Sequence, residues 1–236
     1  MQRVAIVTGA GSGIGRAIAV RLAAAGYRLG LVGRRQSALR ETAAICGGIC
    51  EVIPADLRGG AEAARVVDEC VERFERIDVL VNNAGWSPAA TIPQTTPEIA
   101  SEVFALNAVA PCVSIARAWS HFQRQYTEDG SRGVIVSVSS MAVLDPFESL
   151  YAYAGAKAAL HSFALSASRQ GASMGLRAFA IAPGAVETDL LRTIVDAEHL
   201  PPVRTLNPDT IAAIAMDCIE GRRDGDNGGV IWVPSP

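Results

Sequence analysis

Tyr153 and Lys157 stand four residues apart in the apolar stretch Tyr153-Ala154-Gly155-Ala156-Lys157. Residues at i and i+4 share a helical face, so a helix here sets an ammonium beside a phenol. A neighbouring cation favours the phenolate and is expected to lower a phenol pKa of about 10. Such a phenol can exchange a proton with a carbonyl or alcohol oxygen near neutral pH. Upstream, Gly133-Val134-Ile135-Val136-Ser137-Val138-Ser139-Ser140 reads as a strand that ends in hydroxyls. A hydroxyl at that end can hold the same oxygen and stabilise charge developing on it. Asn107 adds a third element. It lies in the helical run Pro97–Gln123, four residues before Pro111. Proline has no N–H to give the carbonyl four residues back. A kinked helix with the Asn107 carbonyl free to bind water is therefore expected.

A second constellation sits near the start of the chain. The run Val4–Thr8 leads into Thr8-Gly9-Ala10-Gly11-Ser12-Gly13-Ile14-Gly15, and a helical segment follows at once. The spacing is GxxxGxG at Gly9, Gly13 and Gly15, not GxGxxG. Glycines let the backbone turn tightly against a pyrophosphate, and the helix start supplies unpaired N–H groups and partial positive charge. Gly9, Gly11, Ser12, Gly13, Ile14 and Gly15 are thus expected to cradle a dinucleotide. NAD sites place an acid at the end of the second strand for the ribose 2′-hydroxyl. Here that strand ends Val32-Gly33-Arg34-Arg35, and the next acid is Glu41. Two guanidinium groups just before a helix suit a 2′-phosphate, so NADP(H) is expected over NAD(H).

The elements that must position these residues follow a simple rhythm. Short apolar, β-branched runs at Val4–Thr8, Leu29–Gly33, Cys50–Pro54, Val79–Asn82, Gly133–Ser139, Ala178–Ala182 and Gly229–Val233 predict strands. Helical periodicity covers Ile14–Ala25, Ser37–Cys46, Ala61–Phe74, Pro97–Gln123, Tyr151–Gly171 and Pro208–Glu220. Nearly unbroken apolar strands imply a sheet covered on both faces. The alternation predicts a doubly wound, Rossmann-type α/β three-layer sandwich with a mostly parallel sheet of about seven strands. No linker, low-complexity tract or repeat divides it, so residues 1–236 read as a single domain. The weakly periodic stretch around 189–207 carries two prolines and is expected to form a substrate lid.

Bulk properties restrict the partners. The net charge of −3 implies no nucleic-acid partner. A strand-like run starting at Arg3 leaves no room for a signal peptide, and no uncharged apolar run approaches the ~20 residues that span a bilayer. A cytoplasmic protein without a membrane partner is expected. The five cysteines form no CxxC pair, and neither Cys46 with Cys50 nor the scattered His121, His161 and His199 spells a metal site.

Taken together, these motifs resemble the short-chain dehydrogenases/reductases in their single-domain form. The resemblance covers essentially the whole chain. It rests on Thr8-Gly9-x-x-x-Gly13-x-Gly15, Asp56-Leu57, Asn82-Asn83-Ala84-Gly85, Asn107, Ser140, Tyr153-x-x-x-Lys157 and Pro183-Gly184-x-x-x-Thr188. In that family the matching serine lies thirteen residues before the tyrosine, which selects Ser140 over Ser137 and Ser139. The resemblance implies that Ser140 binds the substrate oxygen and Tyr153 is the general acid or base. Lys157 would hold the nicotinamide ribose and depress the tyrosine pKa, and Asn107 would anchor a proton-relay water. Asp56 would meet the adenine, Leu57, Asn83, Ala84, Gly85, Pro183 and Gly184 would belong to the cofactor site, and Val186 and Thr188 would meet its carboxamide and phosphates. The implied activity is carbonyl–alcohol interconversion, in the reductase direction, on a 3-oxoacyl thioester or medium-sized ketone. Trp86, Leu144, Phe147, Leu190 and Leu191 are the expected apolar walls, and the loop acids Asp145 and Glu148 lie nearby.

The resemblance also implies a homodimer or homotetramer through the helices of Asn107 and Tyr153. The glycine pair that often follows the last strand is missing, since the chain reads Gly229-Val230-Ile231-Trp232-Val233-Pro234-Ser235-Pro236. Two other readings compete. A catalytically silent NADP(H)-binding sensor or scaffold would be expected to lose the tyrosine or lysine, and both are present. A sugar-nucleotide epimerase or dehydratase would need an additional substrate domain.

Overall fold

The computed structural model describes residues 2–236. Seven strands form one parallel sheet: β1 (Val4–Thr8), β2 (Arg28–Gly33), β3 (Cys50–Pro54), β4 (Val79–Asn82), β5 (Val134–Val138), β6 (Arg177–Pro183) and β7 (Val230–Val233). Their order is β3-β2-β1-β4-β5-β6-β7. The strand order reverses between β1 and β4, which opens a crevice beyond their carboxyl ends.

Side-chain alternation along the strands divides the core in two. Val4, Ile6, Leu80 and Ile135 face one layer, made by α3 (Gly60–Phe74), α5 (Ala110–Asp129) and α6 (Tyr151–Gln170), while α4 (Pro97–Phe104) packs through Val103 into a small separate cluster with Ala156 of α6. Ala5, Val7, Val79 and Val81 face the other, made by α1 (Gly13–Ala24), α2 (Gln36–Cys46) and α8 (Pro208–Ile219). Strands buried on both faces need no polar side, which explains the continuous apolar runs.

Two elements bear on the site. The helix through Asn107 is irregular just before Pro111, where the kink was expected. It runs from Pro97 to Asp129, with a π turn at Ala105–Val109 joining α4 to α5. Pro111 offers no N–H to the Asn107 carbonyl, and a turn widened by one residue accommodates that loss without interrupting the helix. By length and composition this helix is also apolar enough to cross a membrane. Its uncharged part lies between Glu102 and Arg117 and stays short of the ~20 residues that span a bilayer. In this fold Ala110, Ala118 and Phe122 pack it against the sheet.

The second is the weakly periodic stretch, which lines the cleft through Leu190, Ile194 and Leu200. It contains the short helix α7 (Asp189–Ile194), whose first turn is capped by Thr188 Oγ1 accepting from Leu191 N at 3.2 Å. The remainder is tied down. Arg192 pairs with Glu187 and donates to the Leu200 carbonyl at 2.9 Å. Thr205 Oγ1 donates to Glu187 at 3.1 Å, and Val186 bridges to Leu206. The excursion is a stitched loop over the cleft.

Candidate active site

The crevice between the ends of β1 and β4 is held by a short side-chain network. Thr8 Oγ1 accepts from the Asn83 and Ala84 amides at 2.9 and 3.0 Å and donates to the Val81 carbonyl at 3.2 Å. Asn83 Nδ2 donates to the Thr8 and Gly9 carbonyls at 2.9 and 3.3 Å. The glycine turn folds back on its helix so closely that a Cβ on Gly15 would lie 2.2 Å from the Gly9 carbonyl oxygen. Gly15 therefore packs behind the turn, while Gly9, Gly11, Ser12, Gly13 and Ile14 line the cleft. Ser12 precedes α1 but gives it no side-chain cap, and the first turn carries no acid. The N–H groups at that helix end are thus not committed to a protein side chain, as an anion site requires.

The cleft continues past Arg34, Arg35, Asp56, Leu57, Ala84 and Gly85 to the loop after β6. Arg34 and Arg35 are exposed at its mouth, and neither forms an ion pair among the described residues. Asp56 is engaged by Arg58, Nη2 to Oδ2 at 2.5 Å, which holds its carboxyl below the usual range. On the far side, Pro183, Gly184, Val186 and Thr188 line the wall. Sequence reasoning did not find their neighbours Pro234, Ser235 and Pro236. Ser235 Oγ accepts from the Ala185 amide at 2.7 Å and so fastens the tail to this loop. A serine beyond the last strand carries no local signal for that contact. The cradle of backbone, the uncapped helix end and the paired arginines fit a dinucleotide.

The reacting groups converge at the other end, on β5 and α6. Ser140 is extended (φ −161°, ψ 148°) and caps the turn Met141–Val143, its Oγ accepting from the Ala142 amide at 3.1 Å. That leaves its O–H to donate. Tyr153 lies near enough to Ser140 for the serine hydroxyl to favour its phenolate. Lys157 is buried, its Nζ donating to the Val138 carbonyl at 2.7 Å and lying 5.6 Å from the Tyr153 ring centroid. Ser139 is turned away, toward Lys157 O and His161. All of Ser140, Tyr153 and Lys157 line the cleft. Asn107 does not. It is fully buried behind Gly85, with Nδ2 donating to the Trp86 and Val103 carbonyls, both at 2.8 Å. A Cβ on Gly85 would fall 2.9 Å from Asn107 Oδ1 and 3.4 Å from Lys157 Nζ, so only glycine lets these groups approach.

One expectation is reversed. Burial pushes the Tyr153 phenol up to about 12, with the Ser140 hydroxyl pulling the other way, and burial pushes Lys157 down to about 8. Desolvation is the leading cause for both groups. Tyr153 holds its proton at neutral pH in this environment. The apolar walls also differ. Phe147, Leu190 and Leu191 line the cleft, but Trp86 packs against Val103 and Ala108, and Leu144 is exposed. Asp145 lines the cleft and Glu148 does not, while Arg204 of the stitched loop does.

These groups give the fold a pH signature. Cys50, Cys70 and Cys218 are raised by burial from 9 to about 12, so the folded chain keeps protons that the unfolded chain releases in that window. Tyr153 acts in the same direction between 10 and 12. Stability then falls as pH rises. Lys157 opposes this between about 8 and 10.5, where the folded chain loses its proton first. Urea midpoints should therefore fall most steeply above the Lys157 window, and a flat profile to pH 12 would contradict this account.

Comparison with known proteins gives consistent matches. The family model described as short chain dehydrogenase matches residues 3–199. The putative ketoacyl reductase 2 of the granaticin polyketide synthase from Streptomyces violaceoruber is 34% identical, over 92% of this chain and 89% of its own. The 3-oxoacyl-[acyl-carrier-protein] reductase of rhamnolipids biosynthesis from Pseudomonas aeruginosa is 31% identical, over 91% and 88%. Among solved structures, 3-ketoacyl-(acyl-carrier-protein) reductase from Brucella melitensis, complexed with NADH, superposes with a TM-score of 0.90 at 27% identity, over 98% of this chain and 96% of that one.

Proposed function

This chain belongs to the short-chain dehydrogenases, oxidoreductases that bind a nicotinamide cofactor, and on that premise we propose that it is an NADP(H)-dependent reductase of carbonyl groups. The observation that carries the reading is the meeting of Ser140, Tyr153 and Lys157 in the cleft that the glycine turn opens. A bound nicotinamide supplies hydride to the carbonyl carbon. The Ser140 O–H, its oxygen already accepting from Ala142, donates to the carbonyl oxygen and stabilises the charge that grows there. Tyr153, protonated at neutral pH, gives that oxygen its proton. Lys157 Nζ keeps two further N–H donors beyond Val138. These would hold the nicotinamide ribose, and Asn107 keeps Gly85 and Trp86 in place beside it.

The relative complexed with NADH shows that the fold alone leaves the dinucleotide open. Arg34 and Arg35 support NADP(H). The apolar residues Met141, Phe147, Leu190, Leu191 and Ile194 at the catalytic end of the cleft support a medium-sized ketone or 3-oxoacyl thioester, as in the relatives named for that chemistry. Phe104 and Val109 on one helix and Tyr151 and Leu165 on α6 are exposed, which supports a homodimer through these faces. NADPH oxidation should be measured against 3-oxoacyl thioesters, apolar ketones, steroids, quinones and sugars. Turnover concentrated in the first two groups is expected, and a uniformly flat response would reject the reductase reading.

A further inference from the structure

The end of β5 is clasped to α6 by three contacts, two through Lys157 and a third that involves no residue of the reaction. Lys157 Nζ donates to the Val138 carbonyl at 2.7 Å. Ser139 Oγ donates to the Lys157 carbonyl at 3.0 Å, and His161 Nε2 lies 2.8 Å from the same Oγ. A serine hydroxyl has a single hydrogen. If that hydrogen goes to Lys157, Ser139 must accept from His161, and the imidazole must carry its proton on Nε2. The Ser139 amide also donates to the Ile181 carbonyl at 2.6 Å, which ties the strand end to β6. His161 is held from its other side by Trp232 of β7, ring centroids 5.2 Å apart and planes at 90°. His161 follows Lys157 by four residues and Tyr153 by eight, so the three share one stripe of α6. The backbone of Ser139 leads directly into Ser140.

We infer that His161 is a positioning residue: its Nε2–H fixes the Ser139 hydroxyl on the Lys157 carbonyl, and this link sets Ser140 at its distance from Tyr153. His161 touches neither end of the reaction and works through Ser139. The inference rests on the reductase reading above for its kinetic consequence, but the tautomer it requires is independent of turnover. Small displacements of reacting groups are costly, since ~1 Å can lower a rate a hundredfold, so a strand end that is no longer clasped should show first in kcat.

Two substitutions separate the hydrogen bond from packing. His161→Phe keeps a ring against Trp232 and removes the donor. His161→Gln removes the ring and keeps an N–H. His161→Phe should lower kcat roughly tenfold with the KM for NADPH unchanged, and Ser139→Ala should match it. The double variant should be no worse than either single one, because both break the same link. His161→Gln should remain within about threefold of the parent. A His161→Phe enzyme with parental kcat, or a His161→Gln enzyme as slow as His161→Phe, would overturn the inference. Nitrogen-15 NMR of the imidazole gives a readout without substrate. It should show the Nε2–H tautomer in the folded protein, and an Nδ1–H tautomer would overturn the inference even if the enzyme turned over no ketone in the panel.

Discussion

Tyr153→Phe is expected to lower kcat by about 10²–10⁴-fold, the range that a positioned general acid contributes, while NADPH binds as tightly as before. The substitution removes one oxygen and keeps the ring that Lys157 Nζ faces at 5.6 Å. The ring is part of the cleft wall, so the shape of the site is preserved and the change isolates the proton. Ser140 remains able to donate to the carbonyl oxygen, since its own Oγ is held by Ala142, and this accounts for a residual rate. The loss should fall on kcat and kcat/KM alike, the pattern of a group that acts in the transition state. The phenol is raised by burial to about 12. Removing it therefore takes away the step at which the folded chain holds a proton the unfolded chain has lost, and alkaline stability should improve slightly. Steady-state turnover together with fluorescence titration of NADPH distinguishes these effects. A variant within tenfold of the parent would show that another group delivers the proton.

The second large effect concerns the choice of dinucleotide. Arg34 and Arg35 follow β2 directly, are exposed, and make no ion pair among the described residues. Arg35 precedes the first turn of α2, where the helix dipole disfavours a cation. A 2′-phosphate between them would relieve both their mutual repulsion and that dipole. A hydrogen bond to a charged group contributes roughly 1.5–3 kcal/mol, so removing one guanidinium should weaken NADPH about 10- to 100-fold. Arg34→Asp goes further, because it places repulsion where attraction was and offers a carboxylate to the free 2′-hydroxyl of NADH. The ratio of kcat/KM for NADPH to that for NADH should fall by about two orders of magnitude or more. The thermal midpoint should barely move, since an acid near a helix start is favourable. An unchanged cofactor ratio would remove the arginines from this role.

Much of this site was legible because its signals are local. The glycine spacing before α1, the arginines after β2, and the four-residue step from Tyr153 to Lys157 each depend on a turn or helix whose geometry the neighbouring residues dictate. Ser140 required the resemblance, since Ser137 and Ser139 are equally hydroxylic. The structure separates them by direction: Ser139 points to His161, and Ser140 caps the next turn. What could not be read depends on contacts between distant segments. Ser235 meets Ala185 across fifty residues, and His161 meets Ser139 and Trp232 from different elements. The phenol was misjudged for the same reason. Proximity along a helix is a sequence property, but the dielectric around Tyr153 is set by everything packed over it. The Pro111 argument identified the right carbonyl, and the local response is a π turn at Ala105–Val109, a form that a search for a broken ladder does not specify.

The stitched loop over the cleft bears on how substrate affinity is partitioned. A free flap loses conformational entropy when it closes, and that loss weakens every ligand it covers. Here Arg192 has already joined Glu187 to the Leu200 carbonyl, and Val186 is already bridged to Leu206. The ordering cost is met when the chain folds. Ligands therefore encounter a preorganised roof, and differences in affinity among them report on the contacts they make with its apolar underside.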